Sequence, residues 1–189
     1  GSDVPPTLFK ANESFIAVGS RGAIRFHPDT GRVSWKSTPT MLRTPLVTSH
    51  EGEELAWLTD HNTIQLINLS SGETVSTSAA LKSEPSWPHI QRVASRWILR
   101  GEWTTQTFIP QQTIVSLDET LRHRWQTDSI ISTTSNIVSN GTMLFMADAH
   151  TTLAMHIDTG KIQWLRRISD SGEGYPMVAR LTDTGVLFE

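Results

Sequence analysis

The sequence repeats one short pattern four times: an apolar strand, a polar turn, and a second strand that reaches Trp or a residue in its place. The two fullest copies are RFHPDTGRVSW, residues 25–35, and LAMHIDTGKIQW, residues 153–164. LINLSSGETVS, residues 66–76, keeps the turn but has Ser76 where the fuller copies have Trp. VSLDETLRHRW, residues 115–125, keeps the Trp but has a shorter turn. Internal repetition constrains the fold strongly, because each copy must stack on its neighbours to bury its apolar faces.

The residues around each copy are typical of antiparallel β-structure. An apolar segment precedes each copy and is predicted to form a hairpin with its first strand, as residues 15–18 do with residues 23–26. The apolar run in the first hairpin strand indicates burial on both faces. In the Asp-Thr-Gly or Ser-Ser-Gly turn, Asp or Ser can bond its own backbone, and Gly can adopt a positive φ. A further short strand opens the next unit, which gives four strands per unit.

The spacing of the copies predicts the architecture. His27, Asn68, Asp118 and His156 mark equivalent strand ends and recur about every 40 to 50 residues, the period of four-stranded blades. We therefore predict an all-β fold, a β-propeller with about four blades plus a half blade.

Residues 14–189 are predicted to form a single propeller domain or a portion of a propeller. Residues 1–13 are assigned to an N-terminal segment that begins with Gly1-Ser2, which has the form of a tag-cleavage remnant. The count of blades fits a small closed ring or a piece of a larger one, and the final apolar strand favours the piece. Exposed blade edges predict self-association or completion by a partner.

The longest interval between copies contains an insertion at residues 100–112, predicted to extend the hairpin of the third blade. Trp103 and Arg100 lie in it, and Trp87 lies in the proline-rich segment 85–89, so both tryptophans are predicted in loops. Because Trp and Arg concentrate binding energy at interfaces, these three residues are candidate partner-binding residues. The alternative is that the loop tryptophans fold back over the core.

Composition argues against several classes of function. The 16 basic and 19 acidic residues give a net charge of −3, unlike the basic face of a nucleic-acid binder. The sequence has no Cys, which excludes disulfides, thiolate metal sites and Cys nucleophiles. No apolar run approaches the ~20 residues of a membrane span. The 7 His residues show no compact metal-binding spacing, so no catalytic, cofactor or metal residues are predicted.

The repeat unit resembles the PQQ-like (quinoprotein-type) propeller repeat, over roughly residues 15–166. That resemblance implies that the Trp of one blade packs against the turn of the next. The docking tryptophans would be Trp35, Trp125 and Trp164, and the receiving turns would contain Gly31, Gly72 and Gly160. His27 and His156 stand where Asp or Asn is usual. Ser76 in place of Trp weakens the docking prediction for the second blade.

This family has a catalytic and a non-catalytic branch. The quinoprotein alcohol dehydrogenases are longer chains with a vicinal Cys pair and calcium ligands, and this chain has no Cys. The sequence is more similar to the cofactor-free, BamB-like branch. That implies a non-catalytic scaffold for protein partners, in a periplasmic or other extracytoplasmic compartment and within an envelope or membrane-associated assembly. The alternative is a ligand-sensing or enzymatic propeller, or the sensor domain of a larger signalling protein, whose site is completed by sequence absent from this chain.

Overall fold

The computed structural model of the protein describes residues 7–11, 13–19, 22–37, 42–44, 54–59, 61–81, 85–104, 110–129, 136–148, 150–167, 179–183 and 185–188. Every regular element among them is a β-strand, and the strands form antiparallel sheets in which neighbours in sequence are neighbours in space.

Two four-stranded sheets come first along the chain. The first sheet contains β1 (Thr7–Ala11), β2 (Ser14–Gly19), β3 (Gly22–Phe26) and β4 (Val33–Ser37). The second sheet contains β5 (Leu42–Thr44), β6 (Glu54–Thr59), β7 (Ile64–Asn68) and β8 (Thr74–Thr77). Strand β1 pairs with β2 from Thr7↔Val18 to Ala11↔Ser14. The first sheet therefore begins within residues 1–13, the N-terminal segment that was predicted to lie outside the propeller domain.

Two further four-stranded sheets and a final strand pair follow. The third sheet contains β9 (Ser86–Val93), β10 (Arg96–Thr104), β11 (Pro110–Leu117) and β12 (His123–Ser129). The fourth contains β13 (Val138–Ser139), β14 (Met143–Ala147), β15 (Thr151–His156) and β16 (Ile162–Arg167). The last pair is β17 (Ala179–Thr182) with β18 (Gly185–Phe188). Four strands per repeat unit are therefore present, as the sequence predicts.

The chain divides into two compact units. The first two sheets belong to the first unit, together with residues 88–90 of β9 and residues 120–122, and the rest of the third sheet, the fourth sheet and the last strand pair belong to the second unit. In the first unit, apolar side chains of neighbouring sheets form one core cluster: Ile16, Val18, Ala23, Trp35, Leu55, Trp57 and Ile67. The second unit contains an equivalent cluster: Val93, Ile98, Ile114, Trp125, Ile137, Leu144, Met146, Leu153, Met155 and Ile157. Two of the predicted docking tryptophans, Trp35 and Trp125, are therefore part of a core that is formed between two successive sheets.

The predicted loops around Trp87 and Trp103 are wrong, because both residues lie in strands. Strand β9 is at the edge of its sheet, a position in which a proline such as Pro88 is tolerated. Trp103 pairs with Gln111, and strands β10 and β11 form eight residue pairs, from Trp97↔Leu117 to Thr104↔Pro110. The equivalent hairpins of the other sheets form five pairs each. We refer to residues 102–104 and 110–112 as the hairpin extension.

Candidate interaction surfaces

Trp35 contacts the turn of the following sheet within the first unit. Its side chain is 9% exposed, and its Nε1 donates a hydrogen bond of 2.9 Å to the carbonyl oxygen of Leu69. The indole ring lies against Gly72, where an added Cβ would come within 2.6 Å of the ring atom Cδ2. Arg25, the cross-strand partner of Trp35, donates to the same carbonyl at 2.9 Å. We call residues 68–73 the Gly72 turn.

Trp125 makes the same contact within the second unit. Its Nε1 donates a hydrogen bond of 2.7 Å to the carbonyl oxygen of Ile157. An added Cβ on Gly160 would lie 2.5 Å from the ring atom Cε3. Gly72 and Gly160 have φ values of 78° and 67°, in the region that favours glycine. We call residues 156–161 the Gly160 turn. In the Gly72 turn and the Gly160 turn, glycine is required for two reasons: the backbone has a positive φ, and the indole ring leaves no room for a Cβ.

The copy of the repeat that has Ser76 in place of Trp makes a different contact, also within the first unit. Ser76 Oγ donates a hydrogen bond of 2.9 Å to the carbonyl oxygen of Thr120. The next residue, Leu121, has a φ of 62° and is only 2% exposed. Leu121 therefore takes the left-handed position that Gly72 and Gly160 occupy in the other turns. In this contact the large side chain, Leu121, lies in the turn and the small one, Ser76, lies in the strand, whereas the contacts of Trp35 and Trp125 have glycine in the turn and Trp in the strand.

Trp164 and Gly31 have no equivalent contact in the described part of the chain. Trp164 is half-buried, with its ring centroid 6.3 Å from that of Phe145 and 5.6 Å from Arg166 Cζ. Gly31 has a φ of 65°, and nothing lies within 4 Å of an added Cβ. The sequence of the Gly31 turn, residues 27–32, closely matches that of residues 156–161, so no local signal separates the open turn from the occupied one.

The candidate partner-binding residues Trp103 and Arg100 lie on opposite faces of β10, since side chains alternate along a strand. Trp103 is half-buried and its ring lies over Gly101, where an added Cβ would be 3.1 Å from Cζ3 and 2.6 Å from Pro85 Cβ. The structure therefore does not bring Trp103 and Arg100 together. Trp87 lies in β9, but its side chain is outside the described part of the structure, so its role stays a prediction.

The guanidinium of Arg100 is largely shielded from solvent. Burial lowers the pKa of its guanidinium well below the ordinary arginine value, to about 10, because desolvation penalises the charged form. The group stays charged at neutral pH, where the folded state bears the energetic cost of burying that charge. As the pH rises above about 10, the folded state releases a proton that the unfolded state keeps, so the contribution of Arg100 to stability rises with pH.

We therefore expect the stability of wild type relative to Arg100→Met to rise as the pH increases from about 8 to about 11, because only wild type loses a buried charge over that range. Methionine retains the apolar length of the side chain and removes the titrating group. Urea denaturation of both proteins at several pH values, followed by circular dichroism, measures the difference in the free energy of unfolding. A difference that stays constant with pH would contradict the lowered pKa of Arg100.

Two further features concern metals and membranes. Among the residues that the structure describes, no group of three or more His, Cys, Asp or Glu side chains is arranged to hold a metal ion. Within the same described ranges, no helix is long and apolar enough to cross a membrane.

The chain is similar in fold to solved structures of known proteins. No family model and no curated protein matches the sequence. The chain is similar to BamB from Moraxella catarrhalis, with a TM-score of 0.66 and 14% identity over 96% of this chain and 57% of that one. It is similar to a quinohemoprotein alcohol dehydrogenase from Comamonas testosteroni, with a TM-score of 0.58 and 11% identity over 90% of this chain and 41% of that one. A europium-containing methanol dehydrogenase has a TM-score of 0.58 and 10% identity, over 84% of this chain and 40% of that one.

These similarities confirm the predicted fold class, a β-propeller of four-stranded blades, and the resemblance to the PQQ-like repeat at the level of fold. The chain spans 40% to 57% of the length of these three solved structures. Both BamB and dehydrogenases share the fold, and one fold can carry unrelated functions. The choice between a scaffold and an enzyme therefore depends on the chain's own surfaces.

Proposed function

We propose that this chain is a non-catalytic β-propeller scaffold for protein–protein interaction, and that a protein segment docks on the hairpin extension beside Trp103. The observation that carries the proposal is the length of the third sheet's hairpin: it has eight residue pairs where its counterparts have five. The additional pairs present a half-buried Trp on a part of the sheet with no counterpart in the other repeats.

The local structure makes Trp103 a suitable anchor for a partner. Its ring lies over Gly101, where an added Cβ would be 3.1 Å from Cζ3, and this contact restricts its motion before a partner binds. Restricting an anchor in advance reduces the entropy lost on association. A Trp side chain combines a large apolar area with few rotatable bonds, and such residues dominate binding energy at protein interfaces.

Polar groups beside the ring indicate the chemistry of the partner. Thr113 pairs with Gly101 across the strands and therefore shares the face of Trp103. Thr113 Oγ1 donates a hydrogen bond of 3.1 Å to Asp128 Oδ1, and Asp128 is exposed. We call Gly101, Trp103, Thr113 and Asp128 the Trp103 surface. It suits an extended segment with an apolar side chain for the ring and a neighbouring Lys or Arg for the Asp128 carboxylate.

The non-catalytic part of the proposal is supported by composition. The chain has no Cys, so it cannot form the vicinal Cys pair that the resemblance associates with the dehydrogenase branch. The resemblance to the BamB-like branch also supports an extracytoplasmic location and an envelope or membrane-associated assembly. Quinone-dependent oxidation of an alcohol by the purified chain would contradict the non-catalytic part.

Trp103→Ala is expected to weaken partner binding by at least about tenfold, because it removes the apolar anchor. The partner is first captured from an extract of the source cells with the wild-type chain and is then purified. Calorimetric titration of that partner compares wild type, Trp103→Ala and Trp164→Ala. The last variant is the matched control, since it removes another half-buried Trp from a different sheet, and all three proteins are titrated at concentrations at which they are monomeric. Equal affinity of wild type and Trp103→Ala would contradict the proposed surface.

A further inference from the structure

The Gly31 turn has the same backbone geometry as the two turns that receive a tryptophan. In each turn the glycine N–H donates to the carbonyl four residues earlier: Gly31 to His27 at 2.9 Å, Gly72 to Asn68 at 2.8 Å and Gly160 to His156 at 2.9 Å. The φ values of the three glycines are 65°, 78° and 67°. The backbone of the Gly31 turn is therefore already in the conformation that binds an indole ring elsewhere in this chain.

The two occupied turns define what such a ring contacts. The ring lies on the glycine, and Nε1 donates to the carbonyl three residues before that glycine, which belongs to Leu69 in one turn and to Ile157 in the other. In the Gly31 turn the equivalent acceptor is the carbonyl of Pro28. Pro28 and Gly31 are both exposed, and the space above Gly31 is open in the described structure.

Trp164 has the local geometry of a docking tryptophan. The strand pairing shifts register immediately beside each Trp: after Arg25↔Trp35, after Ser116↔Trp125 and after Ala154↔Trp164. Such a β-bulge redirects the side chains next to it. Trp35 and Trp125 are 9% and 8% exposed because a turn covers them, whereas Trp164 is only half-buried.

We propose that the Gly31 turn of one copy of this chain receives Trp164 of a second copy, with Trp164 Nε1 donating to the carbonyl oxygen of Pro28. The same chain carries both halves of a contact that it forms twice within its own fold, and this is why a second copy is the assigned occupant. Each copy offers one turn and one Trp, so the association is head-to-tail and extends into closed rings or open chains. This interface does not involve the Trp103 surface.

Substitutions can block each half separately. Gly31→Asn adds a side chain where the ring would lie, and Asn tolerates the positive φ, so the fold is retained. Gly141→Asn is the matched control, since Gly141 also has a positive φ, 93°, and nothing within 4 Å of an added Cβ, but it lies outside the three turns. Trp164→Ala removes the ring and leaves the Gly31 turn intact.

Sedimentation velocity over a wide concentration range tests the proposal. Wild type and Gly141→Asn are expected to form dimers and larger species, and Gly31→Asn or Trp164→Ala alone should associate at least about 30-fold more weakly. An equimolar mixture of Gly31→Asn and Trp164→Ala should form dimers that grow no further, because it contains one intact Trp and one intact turn per pair.

Three outcomes would overturn the proposal: a wild-type chain that stays monomeric, a Gly31→Asn variant that associates like wild type, or a mixture that stays monomeric. Trp103→Ala should self-associate normally, so failure of this interface and failure of the proposed partner surface can be told apart. Circular dichroism of every variant verifies that the fold is retained, and the mixture remains informative because each variant retains one intact half.

Discussion

Gly72→Ala and Gly160→Ala are each expected to lower the free energy of unfolding by about 2–5 kcal/mol, the sum of overpacking and left-handed backbone strain. At these positions an added Cβ would lie 2.6 Å from the Trp35 ring and 2.5 Å from the Trp125 ring. Each ring is held by its Nε1 hydrogen bond, at 2.9 Å and 2.7 Å, and cannot move away without losing that bond. Urea denaturation monitored by Trp fluorescence measures the loss and reports directly on the displaced rings.

Gly141→Ala separates the two contributions to this loss. Gly141 has a φ of 93° and nothing within 4 Å of an added Cβ, so its substitution adds backbone strain without a clash. We expect it to cost about 1–2 kcal/mol. If Gly141→Ala proves as destabilising as Gly72→Ala and Gly160→Ala, then backbone conformation alone explains the glycines and the contact with the ring contributes little.

Sequence was sufficient for those parts of the fold that depend on local chemistry. Gly31, Gly72 and Gly160 follow Asp-Thr or Ser-Ser, and each has the positive φ that such a turn requires. The strand alternation and the period predicted four strands per unit, which the sheets have. Trp35 and Trp125 could be singled out because the repeat places each of them in the strand that follows a turn.

The features that sequence did not predict depend on pairing across the sheet or on a neighbour. The sequence predicts that the insertion at residues 100–112 extends the third hairpin, and the pairing of residues 102–104 with 110–112 confirms it, but the prediction of a loop at Trp103 is wrong because Trp103 pairs with Gln111. That pairing also places Arg100 on the opposite face, which separates two residues that lie close in sequence. The Gly31 and Gly160 turns have nearly the same sequence, and only the contacts of the folded chain show that one is covered and the other is open.

Leu121 is the least expected residue of the repeat. Non-glycine residues with a positive φ are uncommon, and a buried Leu at 62° bears strain that the surrounding contacts must offset. The strand position that carries Trp in other copies is here Ser76, whose Oγ donates to the carbonyl of Thr120, the residue before Leu121. We infer that the strand and the turn have exchanged a large and a small residue: the Leu121 side chain occupies space that an indole fills in the other copies.

A double-mutant cycle tests this exchange. Leu121→Gly should lower the free energy of unfolding by about 2–4 kcal/mol, since the loss of a buried Leu exceeds the relief of backbone strain. Ser76→Trp should lower it by about 1–3 kcal/mol, because the indole meets Leu121. The double variant restores the arrangement of Trp35 with Gly72, so it should be more stable than the sum of the single effects by about 2 kcal/mol or more. If the effects of the two substitutions are additive, then Leu121 does not occupy the space of the missing indole, and the Leu at this position does not compensate for Ser76.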